Sequence, residues 1–200
     1  KANYPHEFMT ILLDSVSANK KKIGITVREC EKIGIYVKGP SLNESKITFS
    51  PETESDGTPI IRFGLGSIKN VGSASIEPIV ENLNKKGPYK NLEDFIKRMN
   101  APINKSTLES LIKTGTFDEF GKRESLLSNL ERIISLINQQ RSLNKAGQSH
   151  MFDLFGESVT KPIPLVNLES KENINHQERS FWERELLGIV ISQNDFQKKI

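Results

Sequence analysis

The chain reads Ile68-Lys69-Asn70-Val71-Gly72-Ser73-Ala74-Ser75-Ile76 at the point that decides its predicted fold. Asn70 and Gly72 tolerate positive φ, so this segment predicts two helices joined by a tight turn. We expect a short helix over residues 67–70, a turn at 71–72, and a second helix that begins close to Ser73 or Ser75. The start must lie there because Pro78 fits only the opening turn of a helix.

Such a turn offers backbone donors to an anion. Several N–H groups at the start of the second helix would point outward, where the positive end of the helix dipole favours negative charge. Lys69 adds a positive charge, so we predict that a DNA phosphate is bound by Lys69, Asn70, Val71, Gly72 and Ser73. The alternative is a plain corner between two packed helices, with no ligand.

A second, weaker copy of the pattern lies at residues 108–117 and precedes another helical segment. We predict further DNA contacts there from Lys113, Thr114 and Gly115. Two such hairpins could touch both backbones of a duplex without reading its sequence. The alternative is that Gly115 only ends a helix and that the phenylalanines after it are core residues.

The net charge of +3 is unevenly distributed. Residues 1–50 carry eight Lys and Arg against five acidic residues, and residues 62–113 carry nine against five. A basic first half suits a polyanion, because neutralising phosphates releases counterions. The alternative is a lysine-rich surface that faces only water.

The rest of the pattern predicts a mainly α-helical protein with a small β element. Apolar spacing indicates one helix after Pro5 and another from Lys20 that Gly34 ends. A short strand at 35–37 follows, and β-prone runs at 46–49 and 59–63 predict a hairpin around the turn at 56–57.

Further helices follow the first hairpin. Asn91 and Asn104 are predicted N-caps, and an apolar stripe predicts one long helix from Lys122 to about Gln140. Residues 142–180 read as a linker. The apolar run at 186–191 reads as a strand.

Within that linker, Gln148-Ser149-His150-Met151-Phe152 has the composition of a peptide offered to another protein. The Gln148 amide would bond at the mouth of a pocket while Met151 and Phe152 fill it. Two alternatives stay open. These apolar residues could fold back on the long helix, or Leu154 and Phe155 could be the inserted pair.

Composition sets further expectations. No run approaches the roughly 18 apolar residues of a membrane span, and no signal peptide opens the chain, so we expect a soluble, cytoplasmic protein with no membrane partner. A single cysteine excludes an internal disulfide. Acidic residues and histidines are too scattered for a metal site. Because Lys1 stands where a methionine would begin, we expect a piece of a longer protein.

Several motifs, in order along nearly the whole chain, resemble the alpha subunits of bacterial DNA polymerase III. They are Tyr4-Pro5-His6-Glu7-Phe8-Met9, Glu29-Cys30 with Gly34-Ile35, Asn43-Glu44-Ser45, the run from Arg62 to Gly72, Asn104-Lys105, Leu108 to Lys113, Gly115-Thr116-Phe117-Asp118, Gly147-Gln148 to Phe152, and Glu185-Leu186-Leu187-Gly188. Asn70 stands where many such hairpins have glycine, and residues 192–196 depart from the turn expected at the OB-fold entrance.

The resemblance implies four regions. Residues 1–63 would be the distal part of the polymerase fingers, and residues 64–141 a tandem helix-hairpin-helix domain that grips duplex DNA. Residues 142–180 would be a linker that docks on the sliding clamp through Gln148, Met151 and Phe152. Residues 181–200 would begin an OB-fold domain.

It also implies templated DNA synthesis by the whole protein, with Mg²⁺ in its palm and other replicase subunits as partners. We expect no cofactor, metal site or catalytic residue in this chain, and no synthesis by it alone. Contacts with nucleotide or DNA are assigned to Lys20, Lys21, Lys22 and Arg28, whose alternative role is a solvated helix face. Two rival readings are a non-enzymatic DNA-binding module with a clamp-binding tail, and a structural helical scaffold.

Overall fold

The computed structural model describes residues 4–145 and 174–191, and this part of the chain is mainly α-helical with one small sheet, as predicted. Its elements in chain order are α1 (Pro5–Ser15), α2 (Lys20–Lys32), β1 (Tyr36–Lys38), β2 (Ser50–Thr53), β3 (Pro59–Arg62), a 3₁₀ turn (Leu65–Ser67), α3 (Ser73–Lys86), α4 (Leu92–Arg98), α5 (Lys105–Lys113), α6 (Arg123–Ser128), α7 (Leu130–Lys145) and α8 (His176–Leu186).

The predicted helix ends and caps are confirmed at several points. α1 begins at Pro5, and α2 ends just before Gly34, which has φ 78°. The side chains of Asn91 and Asn104 each accept a backbone hydrogen bond three residues ahead, at 2.8 and 2.7 Å. α3 begins at Ser73, although Pro78 lies inside it and not in its first turn.

The sheet has the order β1-β3-β2, with β1 parallel and β2 antiparallel to β3. The predicted hairpin is confirmed, but its first strand begins at Ser50 and not at 46. Residues 46 and 47 use their carbonyl groups to accept bonds from the backbone N–H groups of Leu65 and Gly66. Phe49 is buried against the Phe63 ring, with centroids 4.6 Å apart. The segment 46–49 is therefore an irregular loop that places Phe49 in the core.

Two other helix predictions are wrong in detail. The short helix expected at 67–70 is a 3₁₀ turn at Leu65–Ser67, because the following Ile68 is extended. The single helix expected from Lys122 is two helices, which meet at Asn129. The Asn129 side chain donates to the Ser125 carbonyl at 2.9 Å, as a polar side chain does where a helix ends.

The strand predicted at 186–191 is also wrong. Leu186 ends α8, and Gly188 turns the backbone with φ 86°. The N–H of Ile191 then donates to the buried Glu183 carboxylate at 2.8 Å, so it is not available to a sheet. Leu186 and Leu187 are buried in the common core, which is why this run is apolar.

The core runs without a break from α1 to α7 and includes both leucines at the end of α8. Residues 174–191 are held to the earlier helices by polar contacts as well. Arg123 of α6 donates to Glu183 at 3.1 Å, and the backbone of Gly188 lies against that of Lys20. α8 therefore packs beside the first hairpin, and the predicted boundaries at 63, 141 and 180 stay predictions.

Candidate nucleic-acid interface

The turn between the 3₁₀ segment and α3 is built around Asn70. Its φ of 68° makes it the one non-glycine residue with positive φ among residues 4–145 and 174–191. Asparagine adopts this left-handed conformation more readily than other side chains. The reversal lets the chain leave Ile68, which is buried in the core, and start α3 at the surface.

The first residues of α3 expose backbone donors. Gly72 is the N-cap, with φ −94° and ψ 150°, and no side chain caps the helix. Within the described part of the chain, the N–H groups of Gly72, Ser73 and Ala74 donate to no acceptor, and all three residues are exposed. These three N–H groups are called the open donors. Three open donors at the positive end of a 14-residue helix suit an anion such as a phosphate.

Lys69 stands just before this turn and is about half exposed. Its ammonium nitrogen lies 3.0 Å from a carboxylate oxygen of Glu185, and its backbone N–H donates to the carbonyl of Leu186 at 3.0 Å. α8 thus supports the turn and also places a negative charge beside it. Val71, between Lys69 and the open donors, is half-buried and packs on the core.

The second predicted hairpin has a different character. Gly115 has φ 84°, but its N–H donates to the carbonyl of Ile112, and Thr114 is buried with both its N–H and its hydroxyl bonded to carbonyls of α5. Lys113 pairs with Glu109 at 2.6 Å. The donors here are used inside the protein, and the DNA contacts predicted for these three residues stay a prediction.

The four residues of α2 predicted to contact nucleotide or DNA do not lie in one environment. Lys20 is half-buried and donates to the Ser67 carbonyl; burial lowers its pKa, and the nearby charge of Lys69 lowers it further. Lys21 and Lys22 are exposed. Arg28 is exposed too, and its Nε donates to a carbonyl one turn earlier at 3.1 Å.

Two residues next to the turn were not found by sequence reasoning. Thr107 of α5 donates its hydroxyl to the Asn70 carbonyl at 3.0 Å, and Glu185 pairs with Lys69. These contacts join positions 37 and 116 residues apart in the chain. No local pattern indicates them, because a buried threonine and an exposed glutamate are ordinary residues of a helix.

The other sequence predictions concern a clamp-binding peptide, metal sites and membrane spans. Gln148, Met151 and Phe152 lie outside the described residues. In the part that is described, no group of three or more His, Cys, Asp or Glu residues could hold a metal ion. No helix there is long and apolar enough to cross a membrane.

Comparison with known proteins gives consistent matches. A family model described as a helix-hairpin-helix motif matches residues 34–127, which include the sheet and both hairpins. The DNA polymerase III alpha subunit of Campylobacter jejuni is 37% identical over 96% of this chain, and that of Thermus aquaticus is also 37% identical over 96%. The Borreliella burgdorferi subunit is 34% identical over the same share. The chain spans 15–16% of the length of these relatives.

Proposed function

Since the chain is similar to DNA polymerase III alpha subunits over 96% of its length, we propose that it is a portion of a bacterial replicative DNA polymerase and that it binds the backbone of duplex DNA. The observation that carries the proposal is the turn at 69–74, where three N–H groups have no acceptor within the described residues. The matched helix-hairpin-helix motif includes this turn.

The expected mode of binding follows from the donors. Backbone N–H groups can bond phosphate oxygens of any nucleotide, so they position the duplex without reading bases. The Lys69 ammonium adds one charge contact with phosphate, although it also forms an ion pair with Glu185. We therefore expect binding that ignores sequence and weakens as salt rises.

A matched pair of lysines tests this proposal. Lys69 and Lys85 each form an exposed ion pair with a glutamate, at 3.0 and 3.1 Å, but Lys85 lies at the far end of α3. We expect Lys69→Gln to weaken duplex binding and to reduce the salt slope by up to about one, and Lys85→Gln to do much less. Fluorescence anisotropy with a labelled primer-template at two salt concentrations measures both. Equal effects of the two variants would contradict a DNA site at the turn.

The proposal includes a docking peptide for the sliding clamp at Gln148, Met151 and Phe152. A glutamine with paired large apolar residues is chemically suited to a shallow apolar pocket, where each apolar side chain contributes about 1.5 to 3 kcal/mol. The double variant Gln148→Ala/Phe152→Ala should lose clamp binding in a pull-down or by calorimetry and keep its DNA affinity. Unchanged clamp binding would reject this register of the peptide.

The remaining assignments are proposals of the same kind. Lys21, Lys22 and Arg28 lie on the exposed side of α2, where they could approach template or nucleotide phosphates. The whole polymerase would carry Mg²⁺ in its palm and bind other replicase subunits. We expect this chain alone to extend no primer when Mg²⁺ and nucleotides are added, and measurable extension would contradict that expectation.

A further inference from the structure

We propose that Thr107 is a positioning residue that holds the phosphate-binding turn in its working conformation. The inference rests on the proposed DNA binding by that turn. Thr107 lies on α5, is 1% exposed, and donates its hydroxyl to the carbonyl oxygen of Asn70 at 3.0 Å. Because Thr107 is buried, it would not meet DNA itself, so its effect would pass through Asn70.

The position of the Thr107 hydroxyl is fixed by its own helix. Thr107 is the third residue of α5, and its N–H donates to the Asn104 side chain at 2.7 Å. This cap ties the first turn of α5 to a single geometry. A threonine side chain also has few rotamers, so the hydroxyl stays where α5 places it.

The hydrogen bond from Thr107 fixes the orientation of the peptide plane between Asn70 and Val71, which precedes the open donors. The carbonyl of Asn70 and the N–H of Val71 belong to one rigid plane, and that N–H makes only a long bond of 3.3 Å to Ile68. Rotation of this plane would change the direction in which the chain enters Gly72. The Thr107 hydroxyl opposes that rotation by holding the carbonyl end.

The turn needs this support because left-handed backbone is less favourable for asparagine than for glycine. On its other side, Lys69 is held by the carbonyl of Leu186 at 3.0 Å. The Asn70 amide group adds only a 3.5 Å contact with the Ser110 hydroxyl, at the limit of a hydrogen bond. α5 and α8 therefore each hold one of the two residues Asn70 and Lys69, which precede the three exposed N–H groups of the turn.

The experiment uses the 200-residue chain with three substitutions. Thr107→Val removes the hydroxyl and keeps the shape, Thr107→Ser keeps the hydroxyl, and Thr10→Val is a control at a second buried threonine, whose hydroxyl donates to a carbonyl of its own helix, α1. Amide NMR spectra report the backbone around residues 70–73 in the absence of DNA. Anisotropy with duplex DNA reports affinity, and thermal melting identifies a variant that has unfolded.

We expect Thr107→Val to shift or broaden the amide signals of residues 70–73 and to reduce duplex affinity by about three- to tenfold, with the salt slope unchanged because no charge is lost. Thr107→Ser should restore both properties, and Thr10→Val should alter neither. Unchanged signals at 70–73 in Thr107→Val would overturn the positioning role, with or without DNA binding. Shifted signals with unchanged affinity would overturn its role in binding.

The same experiment separates this inference from the proposed function. If the unsubstituted chain bound no duplex DNA, the proposed function would fail. The spectra of the free protein would still decide whether Thr107 sets the conformation of the turn.

Discussion

The replacement Ser73→Pro should weaken DNA binding and leave the fold intact. Ser73 is the first residue of α3, where proline is favoured because its missing N–H has no helical partner. The preceding Gly72, at φ −94° and ψ 150°, already has the extended backbone that a following proline requires. The substitution therefore removes one of the three open donors and should disturb nothing else.

The expected magnitude follows from the bond that is lost. A hydrogen bond to a charged group contributes about 1.5 to 3 kcal/mol, so the duplex affinity should fall by at least about tenfold. Proline also restricts the unfolded chain and should raise the free energy of unfolding by about 0.4 to 1 kcal/mol. Opposite changes in affinity and stability cannot come from partial unfolding.

Anisotropy at two salt concentrations and chemical denaturation measure the two quantities. Ser73→Ala is the matched control, because it removes the hydroxyl and keeps the backbone N–H. The salt slope should be the same in Ser73→Pro and in the parent chain, since no charge is removed. If Ser73→Pro bound duplex as tightly as Ser73→Ala, the backbone N–H of Ser73 would not be a DNA contact.

Three more predictions concern α8 and the segment after it. Glu185→Gln should raise duplex affinity about two- to fivefold by freeing the lysine of the turn, and an unchanged affinity in the anisotropy assay would show that the ion pair does not compete with phosphate. Gly188→Ala and Gly57→Ala both place alanine at φ near 86°, but only at Gly188 would the new Cβ overlap another backbone. The melting temperature should therefore fall more in Gly188→Ala than in Gly57→Ala, and equal falls would contradict this contact. Burial raises the pKa of Glu124, but the hydrogen bond and charge of Arg179, together with backbone hydrogen bonds, outweigh it and leave this pKa below its usual value. The stabilising contribution of this carboxylate is therefore present above the unfolded pKa of about 4.3 and is lost as pH falls through the folded value. In denaturation curves recorded at several pH values, the free energy of unfolding should fall less steeply in acid for Glu124→Gln than for the parent chain. An equally steep fall in both would exclude this ion pair as the cause of the acid sensitivity.

Local sequence signals predicted the elements that depend on neighbouring residues. The asparagine caps at 91 and 104 and the helix end before Gly34 follow from side-chain and backbone bonds within a few positions. The left-handed turn at Asn70 belongs to this class as well. α3 begins at Ser73, as the sequence predicts, although Pro78 lies beyond its first turn.

The wrong strand predictions at 46–49 and 186–191 have a shared physical cause. Phe49 in the run at 46–49 and Leu187 in the run at 186–191 are buried in the core from irregular segments, and apolar residues alone do not distinguish such a segment from a strand. Backbone groups of the two runs bond to distant partners, such as Leu65 and Glu183. The supports of the candidate site, Thr107 and Glu185, were missed for the same reason.

The contact between Lys69 and α8 has a consequence for synthesis of the protein. Lys69 and Glu185 are separated by 116 residues, so the turn leaves the ribosome well before its support has been made. At about 5–20 residues per second, the nascent chain would wait roughly 6 to 23 s for α8 to be translated. The DNA-binding turn should therefore reach its final conformation late, after the earlier helices around it have folded.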